Sequence, residues 1–181
     1  PSLFGDRRPV RCRTLVPDKT VPESVHPNRL RIDFVSDVVC PWCAIGLTSL
    51  EQALTRTRGE VEADIHFQPF ELNPQLGPGG EEFLGYLQKK YGMTVAQVTA
   101  NQEAIRRRGA ELGFTFDMER RRRTYNTFDA HRLLHWAGEE GLQRELKHAL
   151  LRAYFTDGRN VSDHDTLVDI AGSVGLPVDR A

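Results

Sequence analysis

The stretch from Leu30 to Leu72 constrains the fold of this chain more than any other. LRIDFVSD alternates apolar and polar residues, then continues apolar through Val38 and Val39, the pattern of a strand. CPWCAIGLTSLEQALTRTR follows at once. Within it Cys43, Leu47, Leu50 and Leu54 recur at intervals of four, three and four and so share one helix face. Pro41 suits the first helical position, where its missing N–H costs nothing. Arg56 and Arg58 suit the negative end of the helix, and Gly59 its stop. VEADIHFQPFEL, Val61 to Leu72, is a second strand pattern closed by the loop NPQLGPGG. Strand, helix and strand at this spacing make a right-handed βαβ unit.

From Glu81 onward the pattern is helical. EEFLGYLQKKYG is one helix and TVAQVTANQEAIRRRGAELG another, capped by Thr94. A third spans Asn126 to Glu140, with Asn126 as cap and Asp129 three residues on. Leu142 to Phe155 carries Leu142, Leu146, Ala149, Leu150 and Ala153 on one face. The last helix takes Ser162 as cap, turns Leu167, Ile170 and Val174 inward and stops at Gly175. A two-stranded sheet does not support a domain alone. The expectation is therefore an α/β fold whose sheet is incomplete within these residues, with a mostly helical protein as the alternative.

The functional question centres on Cys40 and Cys43. Three cysteines in 181 residues form no disulfide framework and fit a reducing cytoplasm. Cys40 falls at a helix cap, where unpaired N–H groups and the positive dipole end favour a thiolate. Such positions lower a cysteine from about 8.5 to roughly 3.5–7.5. Cys43 lies one turn further, within reach of a mixed disulfide on Cys40. Its place on the apolar stripe predicts burial. The expected division is an exposed nucleophile at Cys40 and a shielded resolving thiol at Cys43. Zinc would require two further ligands. His131 and His135, four apart on a helix, are the candidates, but their distance from Cys43 is far longer than a zinc finger uses, so no metal is expected. A third reading makes both thiols reduced, buried and inert.

Other features restrict the partners. A net charge of −1 gives no overall attraction to nucleic acid or anionic lipid, and no apolar run approaches bilayer length. Residues 1–29 contain basic residues and scattered prolines but no apolar core of a secretory signal. They read as a disordered or loosely attached tail, with Cys12 a bystander. The arginine runs Arg106–Arg108 and Arg120–Arg123 are flanked by acidic residues and read as solvated surface.

DFVSDVVCPWCAIG, PFELNP, KKYG and YNTFDAHRLLHWA followed by AYFTDGRNVSD resemble the DsbA-like oxidoreductases of the FrnE type. Their relatives include 2-hydroxychromene-2-carboxylate isomerase and kappa-class glutathione transferase. The resemblance runs from about Leu30 to Pro177. It implies a thioredoxin-like fold with an all-helical insertion after the second strand. Residues 30–78 would be the N-terminal βαβ part, 79–175 the insertion, and 176–181 the start of a connection back. The family's C-terminal strands, one preceded by a cis-proline beside the C-x-x-C, have no counterpart before Ala181, so the chain alone is expected to be an incomplete domain that is poorly stable, aggregation-prone or rescued by association with another copy in a homodimer. The resemblance further implies thiol–disulfide oxidoreductase activity with Cys40 and Cys43 catalytic. Pro41 and Trp42 would meet the substrate, with Asn126 and His131 lining the cleft. The substrate would be a thiol- or disulfide-containing protein or small molecule. No cofactor is expected to be bound; glutathione enters as redox partner or substrate. The isomerase and transferase relatives resemble enzymes with serine at the first position. Cysteine at both positions favours redox chemistry here. A glutathione-dependent isomerase or transferase, and a redox-inactive helical interaction module, stand as alternatives.

Overall fold

The structure, a computed structural model, describes residues 28–181; the expected tail up to residue 27, with Cys12, lies outside the described residues. Strand β1 (Asn28–Ser36) pairs in parallel with β2 (Val61–Pro69), and α1 (Pro41–Arg56) connects them. Ile32 stands opposite Ile65 and Phe34 opposite Phe67, whose rings meet edge to face at 5.9 Å. This is the βαβ unit read from the sequence, with β1 beginning two residues earlier than Leu30.

The segment after the unit is not wholly helical. Glu81–Glu82 (β3) pairs antiparallel with Arg123–Thr124 (β4) before α2 (Phe83–Tyr91) begins. Glu82 is both strand end and helix cap: its carboxylate accepts N–H bonds from Leu84 at 2.9 Å and Gly85 at 2.6 Å. A two-residue strand is too short to register as a period-2 pattern, so EEFLGYLQKKYG reads as helix throughout. Gly92, at φ 65°, ends α2 in the left-handed conformation that a glycine adopts without strain. Helix α3 (Val95–Glu111) opens on a capping box between Thr94 and Gln97.

Two expected caps shift by one residue. Helix α4 (Phe128–Glu139) is capped at Thr127 rather than Asn126, although the Asn126 side chain accepts the Phe128 N–H at 2.9 Å. Helix α6 (His164–Ser173) is capped by Asp163, which accepts the Thr166 N–H at 2.9 Å. Ser162 instead donates to the Pro78 carbonyl at 2.6 Å, a long-range bond no local pattern announces.

Helix α5 (Gln143–Phe155) lies at the centre of the helical region, packed against α4 and α6. Leu146, Leu150, Leu151, Tyr154 and Phe155 are all fully buried. The same apolar cluster includes Val38, Val39, Ala44 and Leu47 from the βαβ unit, so the helices and the unit share one core. Glu51 of α1 accepts from Arg144 at 2.7 Å and from His148 at 2.8 Å, both on α5. Gln52 of α1 donates to the Leu112 carbonyl at 3.0 Å, just past α3. The helices are therefore docked on α1, and α5 is tied to it through Glu51.

Gly109, inside α3, shows packing overriding local preference. Helix propensity alone favours alanine there by about 1 kcal/mol. A Cβ at Gly109 would overlap the Phe116 ring and come to 2.7 Å from the Phe114 carbonyl oxygen. Gly109→Ala is expected to destabilise the protein by about 1–3 kcal/mol. An unchanged or raised denaturant midpoint would show that the Phe114–Phe116 turn yields freely.

Candidate active site

The end of β1 and the start of α1 set the two thiols. Cys40 is the N-cap of α1, with Pro41 in its first turn. Its carbonyl accepts from Cys43 N–H at 3.1 Å and Ala44 N–H at 3.3 Å, and its own N–H donates to the Asp37 carbonyl at 3.3 Å. Both cysteines are free thiols and both are half-buried, so the expected contrast of exposed Cys40 and buried Cys43 is absent. What separates them is direction. Cys40, Pro41 and Trp42 line a pocket of about 380 Å³, walled also by Leu72, Tyr86 and Ile105; Cys43 does not line it. Trp42 stands 59% exposed at its rim.

Beside the thiols lie two buried charged side chains, Asp37 and Lys147. Asp37 is fully buried and accepts N–H bonds from Leu72 at 2.7 Å and Val39 at 3.3 Å. Lys147 of α5 is 1% exposed, with its ammonium 5.8 Å from the Phe67 ring centre. Burial pulls Lys147 down to about 8, while the negative charge of Asp37 and of the two sulfurs works to hold it up.

The thiols titrate as a unit with one proton between them. Cys43 is lowered to about 6, chiefly because the Cys40 thiol donates to its sulfur, helped by the Asp37 N–H and the Lys147 charge against burial. Cys40 is raised, first by holding that shared proton and then by burial, although the N–H groups of Cys43 and Trp42 act in the opposite direction. The dithiol thus holds one resting negative charge between its two sulfurs, where sequence reasoning put it on Cys40 alone. The helix end favours a thiolate at Cys40 as expected, but Lys147, which comes from more than a hundred residues away, is nearer in effect to Cys43.

The other expected cleft residues lie elsewhere. Asn126 donates to the Pro74 carbonyl at 3.1 Å and accepts from Phe128, so its amide holds loops together. His131 is buried with Nε2 3.1 Å from the Phe70 carbonyl and 3.5 Å from Asp37 Oδ1. A carbonyl only accepts, so Nε2 carries a proton. His131 lines a second cavity of about 520 Å³, together with Lys147 and Phe67, which shares no lining residue with the Cys40 pocket. His135 is on the surface near Glu139. Among the described residues no three His, Cys, Asp or Glu side chains are grouped to hold a metal.

Three residues of the site were not singled out from the sequence. Asp37 was legible as an acid three residues before Cys40. Lys147 falls on one helical face with Leu150, Leu151 and Tyr154, a charged residue on an apolar stripe, which is a usable signal. Arg121 is 3% exposed and also lines the Cys40 pocket, whereas Arg120, Arg122 and Arg123 are exposed. The reading of the whole run as solvated surface is therefore wrong at one position.

No helix among the described residues is long and apolar enough to cross a membrane. Residues 31–181 match the family model of the DsbA-like thioredoxin domain. The crystal structure of probable DsbA oxidoreductase SCO1869 from Streptomyces coelicolor superimposes with a TM-score of 0.77 at 34% identity. The match covers 83% of this chain and 64% of that one, so this chain spans less than two thirds of that structure's length. YwbO of Bacillus subtilis (strain 168) is 28% identical over 151 residues, 81% of this chain and 67% of that protein. The cytosolic disulfide reductase DsbM from Pseudomonas aeruginosa, in a structure with GSH, shares the fold at a TM-score of 0.54 and 17% identity, over 81% of this chain and 66% of that one. With a strand, a C-x-x-C at a helix N-terminus and docked helices, and a family match over nearly all the described residues, the chain belongs to the DsbA-like thioredoxin domain family.

Proposed function

We propose that this chain is a thiol–disulfide oxidoreductase working through Cys40 and Cys43. The observation that carries the reading is the division of the pair. One free thiol faces a pocket, and the other lies one helical turn behind it, toward a buried lysine. In the reducing direction, the shared proton moves to Cys43 and the Cys40 thiolate attacks a substrate disulfide. A Cys40–substrate disulfide forms and the first substrate thiolate leaves. The Cys43 thiol passes its proton to the departing first substrate thiolate, the Cys43 thiolate then attacks the Cys40 sulfur, the second substrate thiolate leaves, and the Cys40–Cys43 disulfide remains. The substrate disulfide is reduced by two electrons and the protein dithiol is oxidised by two. The steps run backward when the protein disulfide meets a dithiol. Glutathione is the proposed partner thiol, and the reducing cytoplasm, where few cysteines form permanent bridges, the proposed setting.

The full chain equilibrated in glutathione buffers of stepped oxidation, then quenched with acid and mapped by mass spectrometry, tests this. The expected result is a Cys40–Cys43 disulfide that appears and disappears reversibly. A folded chain that never forms it, while conjugating glutathione to a non-disulfide electrophile, would establish the transferase class instead. A folded chain in which an alkylating reagent does not reach Cys40 would leave only the interaction module.

A further inference from the structure

Arg121 is unusual among the arginines of this chain. It lies just before β4 and is 97% removed from solvent by its 3% exposure. Among the described residues no carboxylate pairs with it. Its guanidinium stacks on the Phe83 ring at 3.8 Å, with the Tyr154 and Phe155 rings at 5.9 and 5.6 Å. Stacking engages the face of the group and leaves its in-plane donors to be met by other groups. Of those donors, one NH2 group meets the Met118 sulfur at 3.4 Å, and the Tyr154 hydroxyl is a neutral neighbour. The Nε–H has no partner. A buried guanidinium without a counter-charge is costly to keep. This one lines the same pocket as Cys40.

We propose that Arg121 anchors a carboxylate on the substrate, so that the pocket selects small, carboxylate-bearing disulfides and thiols whose sulfur meets Cys40. A volume of about 380 Å³ is at the lower end of the range for small-molecule sites and suits such a ligand. Leu72 and Ile105 would cover its apolar carbons, and the guanidinium edge would take the carboxylate in a charge-assisted, two-pronged bond. The inference rests on the disulfide-exchange reading and names the substrate class of that site.

The test pairs dithiodipropionate with its uncharged diamide. Oxidation of the reduced full chain by each is followed under pseudo-first-order conditions, with dithiothreitol giving the intrinsic reactivity ratio. Relative to that ratio, the acid is expected to react faster by about tenfold or more. In Arg121→Met the preference should fall toward the dithiothreitol value; any part owed to Lys147 or the helix end would persist. A second measurement needs neither a variant nor exchange. Methylthiopropionate, which has no reactive sulfur, should shift the Arg121 Nε–H signal in the NMR spectrum saturably, and its amide should not. Exchange without acid preference, or a preference that Arg121→Met leaves intact in a folded protein, overturns the proposal while the exchange reading stands. A saturable Arg121 shift in a protein that exchanges neither disulfide supports the carboxylate site and removes the exchange reading. An unmoved Nε–H signal at saturating acid overturns the site itself.

Discussion

Cys40→Ser is expected to abolish disulfide exchange, a loss of at least about a thousandfold, because a hydroxyl at the pocket-facing position is neither ionised nor nucleophilic at neutral pH. Cys43→Ser is expected to fail differently. The first attack needs only Cys40, whose thiolate is held by the N–H groups of Trp42 and Cys43 at the start of α1. The second attack needs the Cys43 sulfur. With serine there, a Cys40–glutathione mixed disulfide should accumulate and persist until an external thiol removes it. Mass spectrometry of both variants after incubation with oxidised glutathione separates the cases. Equal yields of mixed disulfide at either remaining cysteine, or turnover surviving in Cys40→Ser, would reverse or remove the assignment.

The second effect concerns Lys147. Its charge favours the Cys43 thiolate from a buried position, where solvent screens it little. Ultraviolet titration of the wild-type dithiol is expected to show thiolate appearing with a midpoint near about 6. Lys147→Met should move that midpoint up by about one pH unit or less. Exchange at neutral pH should slow by up to about twofold and recover as the pH rises, since the thiolate fraction is what is lost. Lys147 also leaves a mark on stability. Its folded value of about 8 lies below the ordinary 10.5, so between those limits the unfolded chain binds the extra proton. The contribution of this group to stability therefore rises with pH across that window, and below it the full cost of a buried ammonium is present. Denaturant midpoints of wild type and Lys147→Met, compared across the same range, should converge on raising the pH if the mutant gains from losing that charge and diverge if Asp37 needs it. An unmoved thiol titration would show that Lys147 does not act on the pair.

The residues that could be read from the sequence are those whose conformation depends on close neighbours. Leu30 to Leu72 announces strand, helix and strand because pleat and helix periods are satisfied within a few residues. Cys40 and Pro41 announce the helix start because a cap concerns only the next turn. Thr94 with Gln97 is legible for the same reason. The fold family is legible too, through several motifs in fixed order.

Tertiary structure alone decided which charged groups stand beside those thiols. Arg121 differs from Arg120, Arg122 and Arg123 in nothing but its direction, and its direction is set by Phe83 and by Tyr154 and Phe155, which lie far along the chain. Lys147 feels the charge of Asp37 and of the thiols because α5 packs into the core shared with the βαβ unit and is tied to α1 through Glu51. Asn126 and His131 meet the Pro74 and Phe70 carbonyls, acceptors that exist only once the loop after β2 is in place. Backbone periodicity is a local property, so the sequence alone determined the longer strands and helices and the position of the cysteine pair, but not the two-residue strands β3 and β4. The burial of a charge and the identity of its neighbours depend on which surfaces meet across the chain, and that was settled only by packing.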